Sequence, residues 1–113
     1  MTALRRGAVV WVDLSPTRGR EQRGLRPALV VSSDDYLAHV RGLVVVVPIT
    51  AVDRGWPHHV PVTGELVNLP KLSFAMTEQP RTISVERIER RVGDADSATA
   101  ASVDTWLRDF LGL

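Results

Sequence analysis

The densest run of reactive side chains lies between Arg18 and Arg26, where Arg18, Arg20, Arg23 and Arg26 surround Glu21 and Gln22. Guanidinium groups are planar forks of donors that match phosphate oxygens. Such a run reads either as a phosphate-binding surface or as a solvated loop whose charges keep the protein dissolved. Arg26 differs from its neighbours because Pro27 follows it, and the residue before a proline is biased to extended backbone. That bias fixes where its side chain points. Thr50 stands where the most apolar stretch of the chain ends. A polar residue there either serves a site where a core strand surfaces or bonds its own turn. A third polar run, Glu78-Gln79-Pro80-Arg81-Thr82, carries amide and carboxylate groups that can read base edges, or that make a surface turn.

The histidines are His39, His58 and His59. Adjacent histidines on a strand point to opposite faces, so His58 and His59 are not expected to share a metal, and no metal or cofactor is expected. His59 alone is a second candidate for proton transfer. The chain has no cysteine, which removes disulfides, thiolate metal sites and a Cys nucleophile. There is no G-x-S-x-G nucleophile elbow and no glycine-rich phosphate loop.

The elements that must position these residues are short. Ala8 to Leu14 is β-branched and aromatic and reads as a strand, closed by turn residues from Ser15 to Gly19. Arg20 to Arg26 reads as a loop, and Pro27 to Ser32 as a second strand. Ser33-Asp34-Asp35 can cap a short helix through Val40. Leu43 to Val47 is apolar without alternation, the mark of a strand buried on both faces. A loop from Ala51 to Pro57 follows, then a weak edge strand at His59 to Val62, a strand from Leu72 to Thr77, and a last short one at Arg90 to Val92. Val103, Trp106, Leu107, Phe110 and Leu111 make the stripe of an amphipathic helix, capped by Asp96 or Ser97 and ended by Gly112. The sum is five to six short strands in mostly antiparallel pairing and one C-terminal helix. A small curved sheet or barrel is the natural closure.

The 113 residues fit a single domain spanning 1–113. The composition, 44% hydrophobic and 24% charged, is that of a globular chain. No apolar run is long enough to cross a bilayer, and nothing in the first residues resembles a signal peptide, so a cytoplasmic protein is expected. The net charge of +1 hides an asymmetry. Residues 1–26 hold six arginines against Asp13 and Glu21, whereas the rest holds eight basic and eleven acidic groups. Thirteen of the fourteen basic residues are arginine, and Lys71 is the one lysine. Phosphate recognition and a coding bias toward arginine would both produce that skew.

From Arg6 to Ser32 the sequence resembles the MazF/PemK family of toxin endoribonucleases. Arg6-Gly7-Ala8-Val9-Val10-Trp11 matches the family's opening strand, R-G-(D/E)-(I/V)-(Y/W). Asp13-Leu14-Ser15-Pro16-Thr17-Arg18-Gly19-Arg20-Glu21-Gln22 matches D-L-(S/D/N)-P-x-x-G-x-E-Q, and Arg26-Pro27-Ala28-Leu29-Val30-Val31-Ser32 matches R-P-(A/V)-L-V-(V/I)-S. Val46-Val47-Pro48-Ile49-Thr50 and Glu78-Gln79-Pro80-Arg81-Thr82-Ile83 follow in the family's order, and the end in Leu-Gly-Leu is also typical. Ala8 stands where the family has an acidic residue. Pro80 replaces a branched aliphatic and removes a backbone donor. The stretch from Ala51 to Pro57 is the family's variable region, so a cleavage sequence does not carry over.

The resemblance implies a mostly β fold with a C-terminal helix, the small SH3-like barrel of the CcdB/PemK (MazF) type. It implies a homodimer whose grooves hold single-stranded RNA, and a metal-independent cleavage in which the 2′-hydroxyl attacks phosphorus. The products are a 2′,3′-cyclic phosphate and a 5′-hydroxyl. The family's catalytic arginine and threonine map onto Arg26 and Thr50, and its loop acid onto Glu21. Arg18, Arg20 and Arg23 would hold flanking phosphates, with Gln22 and Arg81 counted in the same RNA-binding set. Glu78 and Gln79 would meet bases. Trp56 would stack a base, or cover the barrel as an apolar lid. The implied partner is a cognate antitoxin with an acidic, partly disordered tail. The competing reading is a non-enzymatic toxin of the same fold, like the CcdB relatives that bind DNA gyrase, a branch expected to lack the equivalents of Arg26 and Thr50. A small RNA-binding barrel without cleavage is a third.

Overall fold

The computed structural model describes residues 4–14 and 24–113. Its strands are β1 (Ala8–Val12), β2 (Arg26–Val30), β3 (Leu43–Thr50), β4 (His59–Pro61), β5 (Phe74–Met76), β6 (Arg81–Ser84) and β7 (Ile88–Asp94). Helix α1 (Asp34–His39) joins β2 to β3, and helix α2 (Ser97–Leu111) ends the chain. The seven strands form one sheet in the order β4-β5-β3-β2-β1-β7, with β6 also on β3. All the pairings are antiparallel. This is the expected mostly β architecture with a C-terminal helix. Among the described residues, no helix is long and apolar enough to cross a membrane.

The absence of polar alternation in β1, β2 and β3 has a simple cause: both faces of the sheet are covered. Ala8, Val10, Val12, Ala28, Val30, Val44 and Val46 pack into one core, closed by Leu37 of α1 and by Val85 and Ile88. The residues between them, Val9, Leu29, Val47 and Ile49, pack into a second core closed by Val103, Trp106 and Leu107 of α2. Period-two alternation therefore sorts apolar residues into two cores rather than core from solvent.

Helix α2 is specified at both ends. The Asp96 carboxylate accepts the Thr99 N–H at 2.9 Å, and Gly112 takes the left-handed conformation while its N–H bonds the Arg108 and Asp109 carbonyls. Its apolar stripe is only partly used: Val103 is buried, but Phe110 and Leu111 stay exposed. Two more expectations need correction. The polar run after Glu78 does not end in a mere turn, because Arg81–Ser84 is strand β6, paired with Leu43–Val46. The last strand is longer than Arg90–Val92, running from Ile88 to Asp94 along β1. The expected turn from Ser15 to Gly19 lies outside the described residues.

Candidate active site

β2 and β3 run antiparallel in the register Ala28↔Pro48, Leu29↔Val47 and Val30↔Val46. Counting two residues on along that register brings Arg26 across from Thr50. Both residues line one cleft of about 290 Å³, whose wall also includes Trp11 of β1, Pro48, and Lys71 and Met76 from the segment around β5. Residues 24 positions apart in sequence thus line one cleft at the end of the β2–β3 pair.

The two side chains are chemically ready. Arg26 is exposed and has no hydrogen-bond or ion-pair partner among the described residues, so its donors are open to an anion. The Thr50 Oγ1 accepts the Val52 N–H at 3.1 Å. A hydroxyl has one proton and two lone pairs, so this bond fixes the oxygen and leaves the proton to be donated. The local-turn and site readings of Thr50 are compatible. Lys71 adds a second cation to the same wall. The sequence signalled it only by its being the one lysine. Trp11 was read as a strand residue alone.

The predicted set does not gather in one place. Arg81 begins β6 and reaches toward the Leu14 carbonyl at 3.5 Å. Arg18, Arg20, Glu21, Gln22 and Arg23 lie outside the described residues. Trp56, Glu78 and Gln79 belong to a second cluster. There the His59 Nε2 lies 3.1 Å from Glu78 Oε2 and the His58 Nε2 lies 3.6 Å from Oε1. Gln79 donates its amide to Glu78 Oε2 at 3.2 Å. The expectation that the two histidines point apart was wrong. β4 starts at His59 and His58 lies in the preceding turn, so strand alternation does not apply between them.

The His59 ring is buried, with Nδ1 unpartnered among the described residues. The proton of its neutral form is therefore assigned to Nε2, facing the carboxylate. Partial burial pushes the Glu78 carboxyl up, but hydrogen bonds from His59, its own backbone and Gln79 outweigh this and hold it below its ordinary value. Trp56 stacks on His58 at 5.5 Å between ring centres, with the Arg54 guanidinium also 5.5 Å from its ring. Its ring is thus already engaged, as its half-exposed surface does not reveal. Met76 links the two clusters: it lines the cleft, pairs with His59 across β4 and β5, and has its sulfur 3.9 Å from the Gln79 amide. A larger groove of about 460 Å³ lies elsewhere, between Leu37, Leu43, Val85 and Ile88. It gathers none of the predicted site residues.

Residues 5–111 match the family model of the PemK-like, MazF-like toxins of type II toxin–antitoxin systems. The chain is 36% identical to endoribonuclease MazF9 of Mycobacterium tuberculosis, over 97% of this chain and 98% of that protein. In structure it is similar to MazF in the MazE–MazF crystal structure from Deinococcus radiodurans, with a TM-score of 0.83, 28% identity, and coverage of 100% of this chain and 99% of that one. It is also similar to an endoribonuclease solved with its cognate antitoxin from a mycobacterial species, with a TM-score of 0.80, 26% identity, and coverage of 98% and 97%.

Proposed function

The chain belongs to the PemK-like, MazF-like toxins of type II toxin–antitoxin systems, and from that premise we propose that it is an endoribonuclease cutting single-stranded RNA in the cleft shared by Arg26 and Thr50. The observation that carries the reading is that those two residues, each with open donors, line one cleft of about 290 Å³.

The chemistry follows from what those groups can do. The 2′-oxygen attacks the adjacent phosphorus as its proton leaves, and the bond from phosphorus to the 5′-oxygen breaks as that oxygen takes up a proton. One strand then ends in a 2′,3′-cyclic phosphate and the other begins with a 5′-hydroxyl. Negative charge accumulates on the non-bridging oxygens in between. The Arg26 guanidinium meets that charge with paired hydrogen bonds, and Thr50 donates a third. Arginine remains protonated throughout, so Arg26 stabilises charge and does not serve as the base. Glu21 is the carboxylate we assign to the 2′-hydroxyl proton. Lys71 supplies a further positive charge in the cleft. No step calls for a metal.

The partner is a cognate antitoxin, and we assign the contact to an acidic, partly disordered tail that competes with RNA for the arginines of residues 18–26. The working form is a homodimer in the cytoplasm. Incubation of the purified protein with a long single-stranded RNA in EDTA, followed by mapping of the ends, tests the reading. Discrete cuts with 5′-hydroxyl ends are expected. RNA left intact at low salt would overturn it.

A further inference from the structure

We propose that His58, His59 and Glu78 form a binding site for a borderline transition-metal cation of the Zn²⁺ class, apart from the cleft that holds Arg26 and Thr50. Each residue offers one ligand atom, and no two of these atoms are more than 4.8 Å apart. Glu78 presents a different oxygen to each ring, Oε2 at 3.1 Å from His59 and Oε1 at 3.6 Å from His58, so one oxygen has to turn in to stand at the ~3.3–3.6 Å that separates ligands about 2.0–2.2 Å from a tetrahedral zinc. Small side-chain rotations close the three groups on an ion, which takes the place of the His59 Nε2 proton as that ring changes to its Nδ1–H tautomer. Two imidazoles and one carboxylate are the donor set of an open zinc site, whose fourth position goes to water. Nitrogen donors favour Zn²⁺ and its neighbours over Mg²⁺ or Ca²⁺, which require oxygen.

The ligands are also held in place. The His59 side chain is only 2% exposed. His58 is packed by the rings of Trp56, Trp106 and Phe110, at 5.5, 6.0 and 5.6 Å. The Gln79 amide orients the carboxylate, the kind of supporting bond that tunes metal ligands. Little side-chain freedom remains to be lost on binding. The ligands come from the turn before β4, from the first residue of β4 and from the turn after β5, so a bound ion would tie the end of the variable loop to the turn that carries Gln79. The ion takes no part in the cleavage proposed above, and the test needs no RNA.

The test is a calorimetric titration of tag-free protein with Zn²⁺, together with the visible spectrum of Co²⁺ in the same site. One ion per chain, a four-coordinate Co²⁺ spectrum and a rise in melting temperature with Zn²⁺ are expected. His58→Ala and Glu78→Gln alter partly exposed side chains and should each weaken binding by about tenfold or more. His39→Ala, at the remaining histidine, should leave it unchanged. Wild-type protein that binds Zn²⁺ no more tightly than the His58→Ala and Glu78→Gln variants, or that loses its site with His39→Ala, would overturn the proposal.

Discussion

In the proposed reaction one hydroxyl, that of Thr50, would have two duties. Its oxygen closes a turn by accepting the Val52 N–H, and its proton is free for a phosphate oxygen. Thr50→Ser keeps both and should retain most of the cutting rate. Thr50→Val keeps the shape but loses both, and its rate should fall by ~10²–10³-fold, the usual cost of one transition-state donor. Arg26→Ala should lose at least as much, and Arg26→Lys should recover only part, because an ammonium keeps the charge but not the fork. Single-turnover cleavage of one short RNA, with the melting temperature as a folding check, separates these outcomes. Both residues were legible in the sequence because each marks the end of an apolar strand and stands in a motif. The convergence of His58 and His59 on Glu78 was not. It needs a contact between His59 and Glu78, 19 positions apart, and a turn that ends at His58, and neither leaves a mark in local spacing. Lys71 joins the cleft through a fold-level approach that no short pattern encodes.

Strand β6 was hidden at the element scale for a related reason. Arg81 and Thr82 are exposed and only Ile83 is buried, so the segment lacks an apolar run, and Pro80 suggests a break. The ends of α2 were legible because caps are local chemistry. Its last turn was misjudged because Phe110 and Leu111 satisfy the helical period without being covered. Strand β7 depends on a close approach. A Cβ at Gly93 would lie 2.0 Å from the Leu66 carbonyl oxygen, which is backbone and cannot swing aside. Gly93→Ala should therefore cost at least the ~1–3 kcal/mol of an overpacked core, read as a lower urea midpoint.

The start of α2 also sets a response to acid. Asp96 is lowered by the Thr99 backbone hydrogen bond and by the Thr63 and Thr99 hydroxyls, and Glu78 is lowered as described above. A carboxyl with a depressed folded pKa contributes stability above its unfolded pKa, and the contribution is lost as pH falls through the folded value. The melting temperature should hold on the neutral side of the carboxylate range and drop below it, and Asp96→Asn should flatten that drop. A drop equally steep in Asp96→Asn would show that other groups carry it.

For the whole molecule the distribution of charge matters more than its sum of +1. The arginines of residues 1–26 should make RNA affinity fall with salt by ~0.7 log units per log unit of salt for each phosphate neutralised. A salt-independent affinity would show that binding lies elsewhere. Several large apolar side chains, Leu66, Leu72, Leu111 and Leu113 among them, are more than half exposed. Light scattering at micromolar concentration should give the mass of two chains. A single-chain mass would count against the homodimer.

The cleft takes its wall from Trp11, Arg26, Thr50 and Met76 alike, and β3 is flanked by β5 and β6 as well as by β2. A ribosome making this chain releases Arg26 and Thr50 before Leu69, Lys71 and Met76, which complete the wall. Domains fold as their parts emerge from the N-terminus, so the unfinished chain carries both groups on a sheet with one side missing. A nascent chain is therefore expected to cut no RNA until the segment through Met76 has left the ribosome.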